Sequence, residues 1–521
     1  MKKTDFDLIV IGGGATGAGI ALDASLRGLS VALFEQNDFG QGTSSRSTKL
    51  VHGGVRYLEA AVKRLNKAQY ALVKEGLRER KYFLHNASHL AHPIALITPL
   101  YKWYEIPYIY AGLFLYDLIS GKASLGKSRL LSASKAKAVN PSINPSGLKA
   151  AVSYYDGAFN DSRMVIALLQ SAQEQGAELY NHHQVTSLLK KENALCGVMA
   201  QNKINGAKHR YNAKSIINAT GPFADTIRAL DDPSSPPIMQ VSSGIHIVVA
   251  KKFLPTNVGL MIPQTSDGRV LFVLPYRDQC LIGTSDQPAS LHEHPVATAQ
   301  EITYLLENVN SYFDIHLSHK DILASFAGLR PLLLQAGTDT AQFVREHTEL
   351  MSDSGLLTVA GGKWTSYRSM AEQAVDIIAK KLGNSRKCQT TDHKIIGSQQ
   401  GEKYSIQALQ RRQISPKRIS YLYSLYGDRS IRVLEVCDET PAGHNRVHPS
   451  LETTYGELYY SLRYEYVQKP LDFITRRINI GLTDTRTSQE VLKTICDIME
   501  RELHWSKAQR NTLEKEAIKL C

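Results

Sequence analysis

The stretch Asp7-Leu8-Ile9-Val10-Ile11, followed at once by Gly12-Gly13-Gly14-Ala15-Thr16-Gly17, decides the fold of this chain. A short apolar run rich in β-branched residues predicts a buried parallel strand, and the spacing of the glycines predicts a turn into a helix. Gly12 permits the tight turn, Gly14 lets the backbone approach a pyrophosphate, and Gly17 lets helix and strand pack closely. We expect the helix to cover about residues 15–27, with its positive end toward the diphosphate.

A second predicted strand, Ser30-Val31-Ala32-Leu33-Phe34, ends at Glu35. An acid about twenty residues beyond the glycines is the residue that dinucleotide-binding folds use for a ribose hydroxyl. Because strand, turn, helix, second strand and acid occur in this order, the sequence predicts dinucleotide binding rather than an ordinary strand-helix connection. The acid argues against a 2′-phosphorylated nucleotide, and this region alone leaves NAD and FAD open.

Length and charge restrict the class of protein. A chain of 521 residues is too long for one core and predicts about two or three domains. The formal charge of +12 and the isoelectric point near 9.2 suit an anionic substrate or an acidic membrane surface, with a solvated basic exterior as the alternative. No basic cluster accompanies a nucleic-acid-binding motif, so we expect no nucleic-acid partner.

Cysteine usage and hydropathy predict the compartment. The six cysteines form no C-x-x-C pair, which predicts reduced thiols and neither a disulfide framework nor a metal site. The first predicted strand begins about five residues from Met1, so we expect no signal peptide. The most apolar region, residues 93–119, is interrupted by prolines and charges and predicts no membrane-spanning helix. We therefore expect a cytoplasmic protein that is soluble or peripheral to a membrane.

Residues 42–59 form the most unusual segment, Gly-Thr-Ser-Ser-Arg-Ser-Thr-Lys-Leu-Val-His-Gly-Gly-Val-Arg-Tyr-Leu-Glu. Its hydroxyl groups and backbone amides can bond phosphate and ribityl oxygens, and Gly53-Gly54 lets the backbone approach a flat ring. The segment therefore predicts a second cofactor-binding loop.

The middle of the chain predicts further elements. We expect a helix over about residues 63–83, a loop over 121–137, and a turn over 156–161 leading to a helix over 163–175 with Asp161 or Ser162 as N-cap. The aromatic segment 101–110 is expected to pack mostly under the substrate domain, with a membrane interface as the alternative.

The later segments favour FAD. Residues 215–222 predict a strand opening into a glycine turn, which returns the chain to the nucleotide as FAD-binding folds do. Strands between residues 241 and 286 predict an antiparallel substrate sheet, and residues 356–366 predict a last strand and glycine turn before a helix to about residue 382. Beyond residue 386, helical patterns over 406–425, 457–466 and 489–520 predict a C-terminal helical domain.

The two glycine motifs, together with Asn218-Ala219-Thr220-Gly221-Pro222, residues 282–286, Gly328-Leu329-Arg330-Pro331 and residues 361–365, closely resemble the FAD-dependent glycerol-3-phosphate dehydrogenase family over nearly the whole chain. The resemblance implies an α/β fold with a Rossmann-like FAD-binding domain of the glutathione-reductase/D-amino-acid-oxidase type, an antiparallel β-sheet substrate domain and a helical C-terminal domain. The implied FAD-dependent oxidoreductase region covers residues 1–385 and the helical domain 386–521. Within the first region, about 1–75, 150–235 and 346–385 would bind FAD, and about 76–149 and 236–345 would form the substrate domain.

The resemblance also implies an activity. The enzyme would oxidise sn-glycerol 3-phosphate to dihydroxyacetone phosphate by hydride transfer to non-covalently bound FAD. Electrons would pass to membrane quinone at an anionic membrane surface, with the protein peripheral on the inner face of the cytoplasmic membrane. A homodimer is one of the assemblies left open.

Site residues follow from the same motifs. Arg56, Arg330 and Lys363 are the expected positive cradle for the substrate phosphate, and His246 is the expected base for the C2 hydroxyl. Tyr57 and Thr365 are additional expected substrate contacts. Arg330, Lys363 and His246 form the expected catalytic set. The expected cofactor contacts are Gly12, Gly14, Ala15, Thr16, Gly17, Glu35, Thr43, Ser44, Ser45, Lys49, Leu50, His52, Gly53, Gly54, Val185, Ala219, Thr220, Gly221, Gly362, Lys363 and Thr365.

One departure and three alternatives stay open. The family usually has a basic residue, glycine and a hydroxyl residue before the histidine, whereas this chain has Ser243-Gly244-Ile245. An oxidase that reduces oxygen is one alternative, although the family's oxidases tend to carry an insertion that this length does not suggest. An FAD-dependent amine or amino-acid oxidoreductase is the second, because the same cations suit a carboxylate. A flavin-binding protein without activity is the third.

Overall fold

The computed structural model describes residues 4–54, 67–334 and 347–520. The predicted substrate residues Arg56 and Tyr57 lie outside the described residues, and their roles stay predictions.

The described strands, in chain order, are β1 Asp5–Ile11, β2 Val31–Phe34, β3 Leu50–Val51, β4 Ala91–Leu100, β5 Arg129–Ser132, β6 Ala150–Phe159, β7 Glu178–Tyr180, β8 His183–Lys191, β9 Ala194–Asn202, β10 Lys208–Asn218, β11 Met239–Ala250, β12 Gly259–Ile262, β13 Leu271–Tyr276, β14 Gln279–Gly283, β15 Gln287–Pro288, β16 Ile322–Leu333, β17 His347–Met351 and β18 Leu356–Gly361.

The described α-helices are α1 Ala15–Leu26, α2 Lys67–Asn86, α3 Glu105–Ser120, α4 Ala133–Val139, α5 Asp161–Glu174, α6 Ala224–Asp231, α7 Ala299–Asn310, α8 Tyr367–Lys381, α9 Glu402–Gln410, α10 Pro416–Tyr426, α11 Ser430–Glu439, α12 Tyr455–Tyr464, α13 Thr485–Glu502 and α14 Lys507–Leu520. A π-helical turn, Asp472–Arg477, follows α12.

The first sheet is the predicted nucleotide-binding sheet. Its main path runs β17-β18-β10-β1-β2-β7, with β8 and β9 attached through β10, and β1 pairs in parallel with both β2 and β10. Helix α1 begins at Ala15 and ends at Leu26, as the glycine spacing predicts. The central strands are buried on both faces, which explains why β1 is an almost unbroken apolar run.

The second sheet is the predicted substrate sheet. Its main path runs β15-β11-β14-β13-β12-β4-β6-β3, and β16 pairs with β11 while β5 pairs with β6. Its pairings are antiparallel except that between β12 and β4. The two sheets and the helices after α8 confirm the predicted α/β fold class with a helical C-terminal region. The domain boundaries stay predictions. Strand β6, placed by sequence among the FAD-binding segments, belongs to this second sheet.

Local assignments between residues 121 and 161 were partly wrong. The expected loop over 121–137 contains β5, which forms because it pairs with β6, and the helix α4, which Ser132 caps by accepting a hydrogen bond from the Lys135 amide. The expected turn over 156–161 is instead the end of β6, held by its pairing with β4. Asn160, rather than Asp161 or Ser162, is the N-cap of α5.

The C-terminal helices are more finely divided than expected. The segment 406–425 contains the end of α9 and nearly all of α10, because Gln413 adopts a left-handed conformation and Ser415-Pro416 starts a new helix. The segment 489–520 likewise spans α13 and α14, separated near His504, which has a positive φ. Helix α11 was missed altogether.

Most of the aromatic segment 101–110 does not pack as expected. Tyr101 packs edge-on against Tyr312, but Trp103, Tyr104 and Tyr108 are 69%, 71% and 43% exposed. Trp103 and Tyr104 directly precede helix α3 and Tyr108 lies in its first turn, and the outer face of this helix is apolar. Among the described helices, none is both long and apolar enough to cross a membrane. The five described cysteines are free thiols, as predicted.

Candidate active site

Packing explains the glycines of the first motif. Gly12 has φ +110°, and a Cβ placed there would lie 2.5 Å from the carbonyl oxygen of Ala219. A Cβ at Gly17 would lie 1.8 Å from the Gly12 carbonyl oxygen, which belongs to the backbone and has no room to move. The ends of β1 and β10 therefore meet beside the first turn of α1, bringing the predicted residues Gly12, Gly17 and Ala219 together.

Glu35 closes this turn. Its half-buried side chain accepts hydrogen bonds from the Gly13 amide at 2.7 Å and the Asn37 amide at 2.9 Å. Burial raises the pKa of Glu35, and the two amide donors only partly oppose it. The predicted ribose-binding acid is thus fixed to the glycine turn.

The second glycine loop, the described part of the predicted cofactor-binding loop at residues 42–54, lies directly over the start of α1. The Ser44 hydroxyl accepts a hydrogen bond from the Ala15 amide at 2.9 Å, and the Ser44 carbonyl accepts one from the Trp364 indole at 2.9 Å. The Thr43 hydroxyl donates to the Leu329 carbonyl at 2.5 Å. Segments that are hundreds of residues apart in sequence, including the predicted contacts Ala15, Thr43 and Ser44, therefore meet at one place.

Lys49 is held inside this loop. Its ammonium group contacts both carboxylate oxygens of Asp161 at 2.6 Å and the Ser45 carbonyl at 2.7 Å. Burial lowers the pKa of Lys49, and the Asp161 charge opposes that effect. The Lys49 side chain thus stabilises the loop through a buried ion pair with the start of α5.

His52 and Gly53 connect the loop to two other elements. The Thr365 hydroxyl donates to the His52 carbonyl at 3.3 Å, and the Gly53 amide donates to the Tyr116 hydroxyl at 2.8 Å. Tyr116 lies on the inner face of α3 and donates to Asp156 at 2.9 Å. Burial raises the pKa of Asp156 to about 6, although an Arg80 contact opposes it. Helix α3 therefore touches the predicted flavin loop directly.

His246, the predicted base, lies in β11 and is 2% exposed. Its ring stacks on Phe326 of the adjacent β16, with centroids 5.0 Å apart, and its Nε2 lies 3.0 Å from the Thr48 hydroxyl. Its buried Nδ1 has no hydrogen-bond partner within the described part of the chain. Burial, followed by the charges of Lys49 and Arg330, lowers the pKa of His246 well below its usual value. The imidazole is therefore neutral at neutral pH.

Arg330, the predicted phosphate ligand, lies on the same face of the sheet as His246. Its Nη2 donates to Thr284 Oγ1 at 3.0 Å, and its Nη1 lies 3.1 Å from Asp286 Oδ1. Asp286 turns its other oxygen to Arg269 at 2.6 Å. A Cβ at Gly244 would lie 2.2 Å from the Arg330 guanidinium, so the glycine of Ser243-Gly244-Ile245 makes room for it. The guanidinium is rigidly held and shares its carboxylate with a second arginine.

The remaining predicted residues divide into two groups. Thr16 lies in the first turn of α1 and Leu50 lies in β3, and the residues in the connections around the glycine motifs are Gly14, Ser45, Gly54, Thr220, Gly221, Gly362 and Lys363. Val185 instead packs in the core with Ile9, Ile11 and Phe34. These cofactor and substrate roles stay predictions.

Sequence reasoning did not single out three residues that the structure adds to the site. Thr48 contacts His246, Asp286 contacts Arg330, and Arg46 lies over Gly328, where a Cβ would be 3.0 Å from the Arg46 Cβ. The Arg46 guanidinium donates to the carbonyls of Pro295 and Ala327, and burial together with the Arg476 charge lowers its pKa to about 10. All three stand inside the quoted motifs, but only the fold shows what each contacts.

The residues present fit a flavin dinucleotide. Helix α1 begins at Ala15, and its N-cap residue Gly14 provides no side-chain cap. The positive end of the helix dipole at this first turn suits a diphosphate. Glu35 lies beside that turn, while Thr43, Ser44 and the 362–366 turn surround it.

Comparisons with known families and proteins agree with this geometry. A family model described as FAD dependent oxidoreductase matches residues 7–368, and one described as C-terminal domain of alpha-glycerophosphate oxidase matches residues 388–510. The mitochondrial glycerol-3-phosphate dehydrogenase of Mesocricetus auratus is 39% identical, covering 99% of this chain and 73% of that protein. A probable mitochondrial glycerol-3-phosphate dehydrogenase of Caenorhabditis elegans is 40% identical, with the same coverage of 99% and 73%.

Solved structures show the same fold. The glycerol-3-phosphate dehydrogenase of Bacillus halodurans, solved in complex with FAD, matches with a TM-score of 0.83 at 28% identity, covering 100% of this chain and 96% of that chain. The L-alpha-glycerophosphate oxidase of Mycoplasma pneumoniae matches with a TM-score of 0.57 at 18% identity, covering 73% of this chain and 95% of that chain. The second likeness concerns the fold alone.

Proposed function

Since this chain belongs to the family of FAD-dependent glycerol-3-phosphate dehydrogenases, we propose that it oxidises sn-glycerol 3-phosphate to dihydroxyacetone phosphate and passes the electrons to membrane quinone. The observation that carries the proposal is the placement of His246 and Arg330 on paired strands, facing the second glycine loop. A neutral base and a fixed cation thus lie on one surface beside the flavin-binding turns.

The chain's own groups suit the two ends of the substrate. Neutral His246 accepts the proton of the C2 hydroxyl. Arg330 offers its guanidinium to the phosphate, and Arg46 adds positive charge on the same face. When bound, FAD supplies the hydride acceptor. Arg56, Tyr57, Lys363 and Thr365 are proposed to complete the substrate contacts.

The acceptor distinguishes the main proposal from its alternatives. The full-length relatives are dehydrogenases by name, which favours an acceptor other than oxygen, whereas the C-terminal match is to an oxidase domain. An amino-acid substrate would use the same cations to bind its carboxylate. It has no phosphate group, which is the group that Arg46 and Arg330 together suit.

The first test is anaerobic flavin absorbance of the purified protein before and after sn-glycerol 3-phosphate. We expect bleaching that a soluble quinone reverses rapidly and oxygen reverses slowly. Rapid reversal by oxygen would identify an oxidase, and a flavin that stays oxidised would reject the substrate. Glycine and proline serve as controls for the amine alternative.

Helix α3 supports a peripheral membrane location. Positions 104, 107, 108, 111, 114 and 118 are exposed and recur at helical spacing, which places them on one face. Phe114 and Leu118 are 58% and 68% exposed, while Leu113 and Tyr116 on the opposite side are buried. An exposed apolar helix face of this kind suits the interfacial region of a bilayer.

Basic residues flank this face at both ends. Lys102 and Lys149 lie at its start, and Lys149 stands over the Trp103 ring at 5.8 Å. Lys122 and Lys127 are exposed beyond its end. We propose that the face rests on anionic lipid at the inner face of the cytoplasmic membrane, near the quinone pool. The relatives from Mesocricetus auratus and Caenorhabditis elegans are mitochondrial by name, whereas the Bacillus halodurans relative is bacterial.

Vesicle flotation tests the membrane proposal. We expect Lys102→Glu with Lys149→Glu to lower binding to anionic vesicles, and Phe114→Ser with Leu118→Ser to lower binding to both anionic and neutral vesicles. Lys208→Glu with Lys403→Glu, which reverses the same charge elsewhere on the surface, is the matched control. Equal binding by all variants would refute this location.

A further inference from the structure

A buried cluster of charges joins the C-terminal helical region to the nucleotide-binding sheet. Asp38, from the loop after β2, meets Asp472, Arg476 and Arg477 of the π-helical turn, and His182 from the β7–β8 turn completes the group. All five residues are at most 5% exposed. Asp472 lies 434 residues after Asp38 in the sequence, so only the fold brings the two residues together.

Arg477 and Arg476 use most of their donors here. Arg477 holds Asp38 with a two-pronged contact, Nη1 to Oδ2 at 2.7 Å and Nη2 to Oδ1 at 2.9 Å. Arg476 donates from Nε to Asp38, from Nη1 to the Thr475 hydroxyl at 2.7 Å and from Nη2 to Asp472 at 2.9 Å. The charges of the two arginines therefore compensate those of the two buried carboxylates.

The loop that carries Asp38 is part of the cofactor-binding turn. At one end Glu35 accepts from the Gly13 amide, and at the other the Gly40 amide donates to the Gly13 carbonyl at 2.9 Å. Phe39 fills the space beside Gly13, where a Cβ would lie 2.7 Å from its ring. Any movement of Asp38 is therefore transmitted to Glu35 and to the glycine turn.

We propose that Arg476 and Arg477 are positioning residues for FAD, holding the loop of residues 35–40 against the glycine turn through Asp38, so that the C-terminal region forms part of the dinucleotide site. The inference depends on FAD binding at that turn and not on the identity of the substrate or the electron acceptor. The proposal also gives a role to Asp472, Arg476 and Arg477, none of which takes part in the proposed reaction.

Electrostatics explains why the arrangement is rigid. Burial by itself raises the pKa of Asp38, but Arg477 and Arg476 outweigh it and hold that pKa well below its usual range. Asp38 is therefore charged at every working pH. Removing its charge takes the two-pronged carboxylate contact from Arg477 and leaves Arg476 with Asp472, and the loop loses the contact that fixes its position.

The same interface provides a matched control. Arg163 of α5 holds Glu465 after α12 with contacts of 2.8 and 2.7 Å, and both residues are buried. This pair crosses between the same two parts of the chain, but neither residue belongs to the loop of residues 35–40. Glu465 also contacts Arg477, because its carbonyl accepts from Arg477 Nε at 3.1 Å and its Oε2 lies 4.0 Å from that nitrogen. The control variant is therefore Arg163→Gln, which breaks the pair and leaves the contacts of Arg477 in place.

The experiment compares Asp38→Asn with Arg163→Gln, each of which breaks one buried ion pair between the C-terminal region and the rest of the chain. The FAD dissociation constant is measured from the fluorescence of flavin released on serial dilution of the holoenzyme, and the melting temperature is measured beside it. We expect both variants to melt at lower temperature, whereas only Asp38→Asn raises the FAD dissociation constant, by about tenfold or more. With excess FAD, the KM for sn-glycerol 3-phosphate should stay within about twofold of the wild type.

Equal weakening of FAD binding by the two variants, or unchanged binding in Asp38→Asn, would overturn the proposal in favour of simple docking. If Asp38→Asn does not fold, Arg476→Lys takes its place, because lysine keeps the charge but cannot serve Asp38, Asp472 and Thr475 together. Arg476→Lys is expected to release FAD more readily, and wild-type FAD binding in that variant would equally overturn the proposal. Because FAD release is measured without substrate, failure of the proposed reaction would leave this test standing.

Discussion

At the scale of single residues, the site combines a neutral base with a held cation. His246 is buried and lies near the positive charges of Lys49 and Arg330, so its protonated form is unfavourable. The Arg330 guanidinium lies over Gly244 of the neighbouring strand, on the same face of the sheet as His246. Each group is fixed by its packing before any substrate binds, which is the arrangement that lowers the cost of orientation.

Replacing Arg330 should affect substrate binding and spare the cofactor. Arg330→Ala removes the predicted phosphate contact, so we expect the KM for sn-glycerol 3-phosphate to rise by about tenfold or more, with FAD still bound. Steady-state kinetics with a dye acceptor and the flavin absorbance spectrum measure the two effects. Arg330→Lys should lie between wild type and alanine, and near-wild-type kinetics in Arg330→Ala would remove this residue from the phosphate site.

Replacing His246 should affect the chemical step. We expect His246→Gln to lower kcat by about a hundredfold or more, because the substitution removes the proposed proton acceptor beside Thr48. FAD content should be unchanged, as absorbance would show. Thr48→Val is the control: it removes the hydrogen bond to the imidazole and keeps the base, so its effect on kcat should be much smaller. A His246→Gln variant with normal turnover would show that the base lies elsewhere.

At the scale of elements, the strand-turn-helix unit at the start of the chain and the paired strands β11 and β16 do the positioning. The first unit is held by backbone contact between α1, β1 and β10, and the second places its site residues on one face by the alternation of side chains along a strand. In each unit a glycine stands where a larger side chain would collide with a neighbour: Gly17 against the Gly12 carbonyl, and Gly244 against the Arg330 guanidinium.

Gly17 tests the first unit. Because a Cβ there meets the Gly12 carbonyl at 1.8 Å, Gly17→Ala should force α1 away from β1. We expect a loss of about 1–3 kcal/mol in the free energy of unfolding, together with loss of bound FAD. Denaturant unfolding and flavin content measure the two changes.

Gly112 of α3 is the matched control for Gly17, since a Cβ placed there would meet no other described part of the chain within 4 Å beyond its own helix backbone and neighbours. Gly112→Ala should stabilise the protein by about 0.5–1 kcal/mol because alanine loses less backbone entropy in a helix. Similar losses at the two positions would contradict the packing explanation.

At the scale of the whole molecule, the C-terminal region is attached to the rest of the chain by buried polar groups. Besides the Asp38 cluster, His89 at the start of β4 lies against Gly397 and Gly427, and its Nδ1 is 2.8 Å from the Ser398 hydroxyl. Burial and then the Arg163 charge lower the pKa of His89 to about 3. Contacts of this kind make the attachment sensitive to acid.

The pH dependence of stability follows from His89. Its unfolded pKa is near 6.5 and its folded pKa is lower, so the unfolded chain binds the proton first and stability falls as pH drops below about 6.5. Between pH 7 and pH 5 this group should cost about 2 kcal/mol. Urea unfolding of wild type and His89→Gln at both pH values measures the difference, which should shrink by that amount in the variant.

The exposed His209 supplies the control for His89. His209→Gln should leave the acid-dependent loss of stability as it is in the wild type. An unchanged loss in His89→Gln would show that other groups cause it.

The sequence by itself determined the parts of this protein that depend on local pattern. The glycine spacing and apolar run predicted β1, α1 and the acid Glu35, because a tight turn and a buried strand each require particular residues within a few positions. The motifs also contained His246, Arg330 and the second glycine loop. Elements that depend only on residues close together in sequence can be predicted without knowledge of the tertiary structure.

Only the tertiary structure decided what distant residues do to one another. Strand β5 exists because β6 pairs with it, and the outer face of α3 is exposed because no other described element covers it. The contact of Thr48 with His246, the sharing of Asp286 by two arginines and the hold of Arg477 on Asp38 join segments far apart in sequence. Burial and charge at such contacts are set by three-dimensional packing, which no local pattern contains.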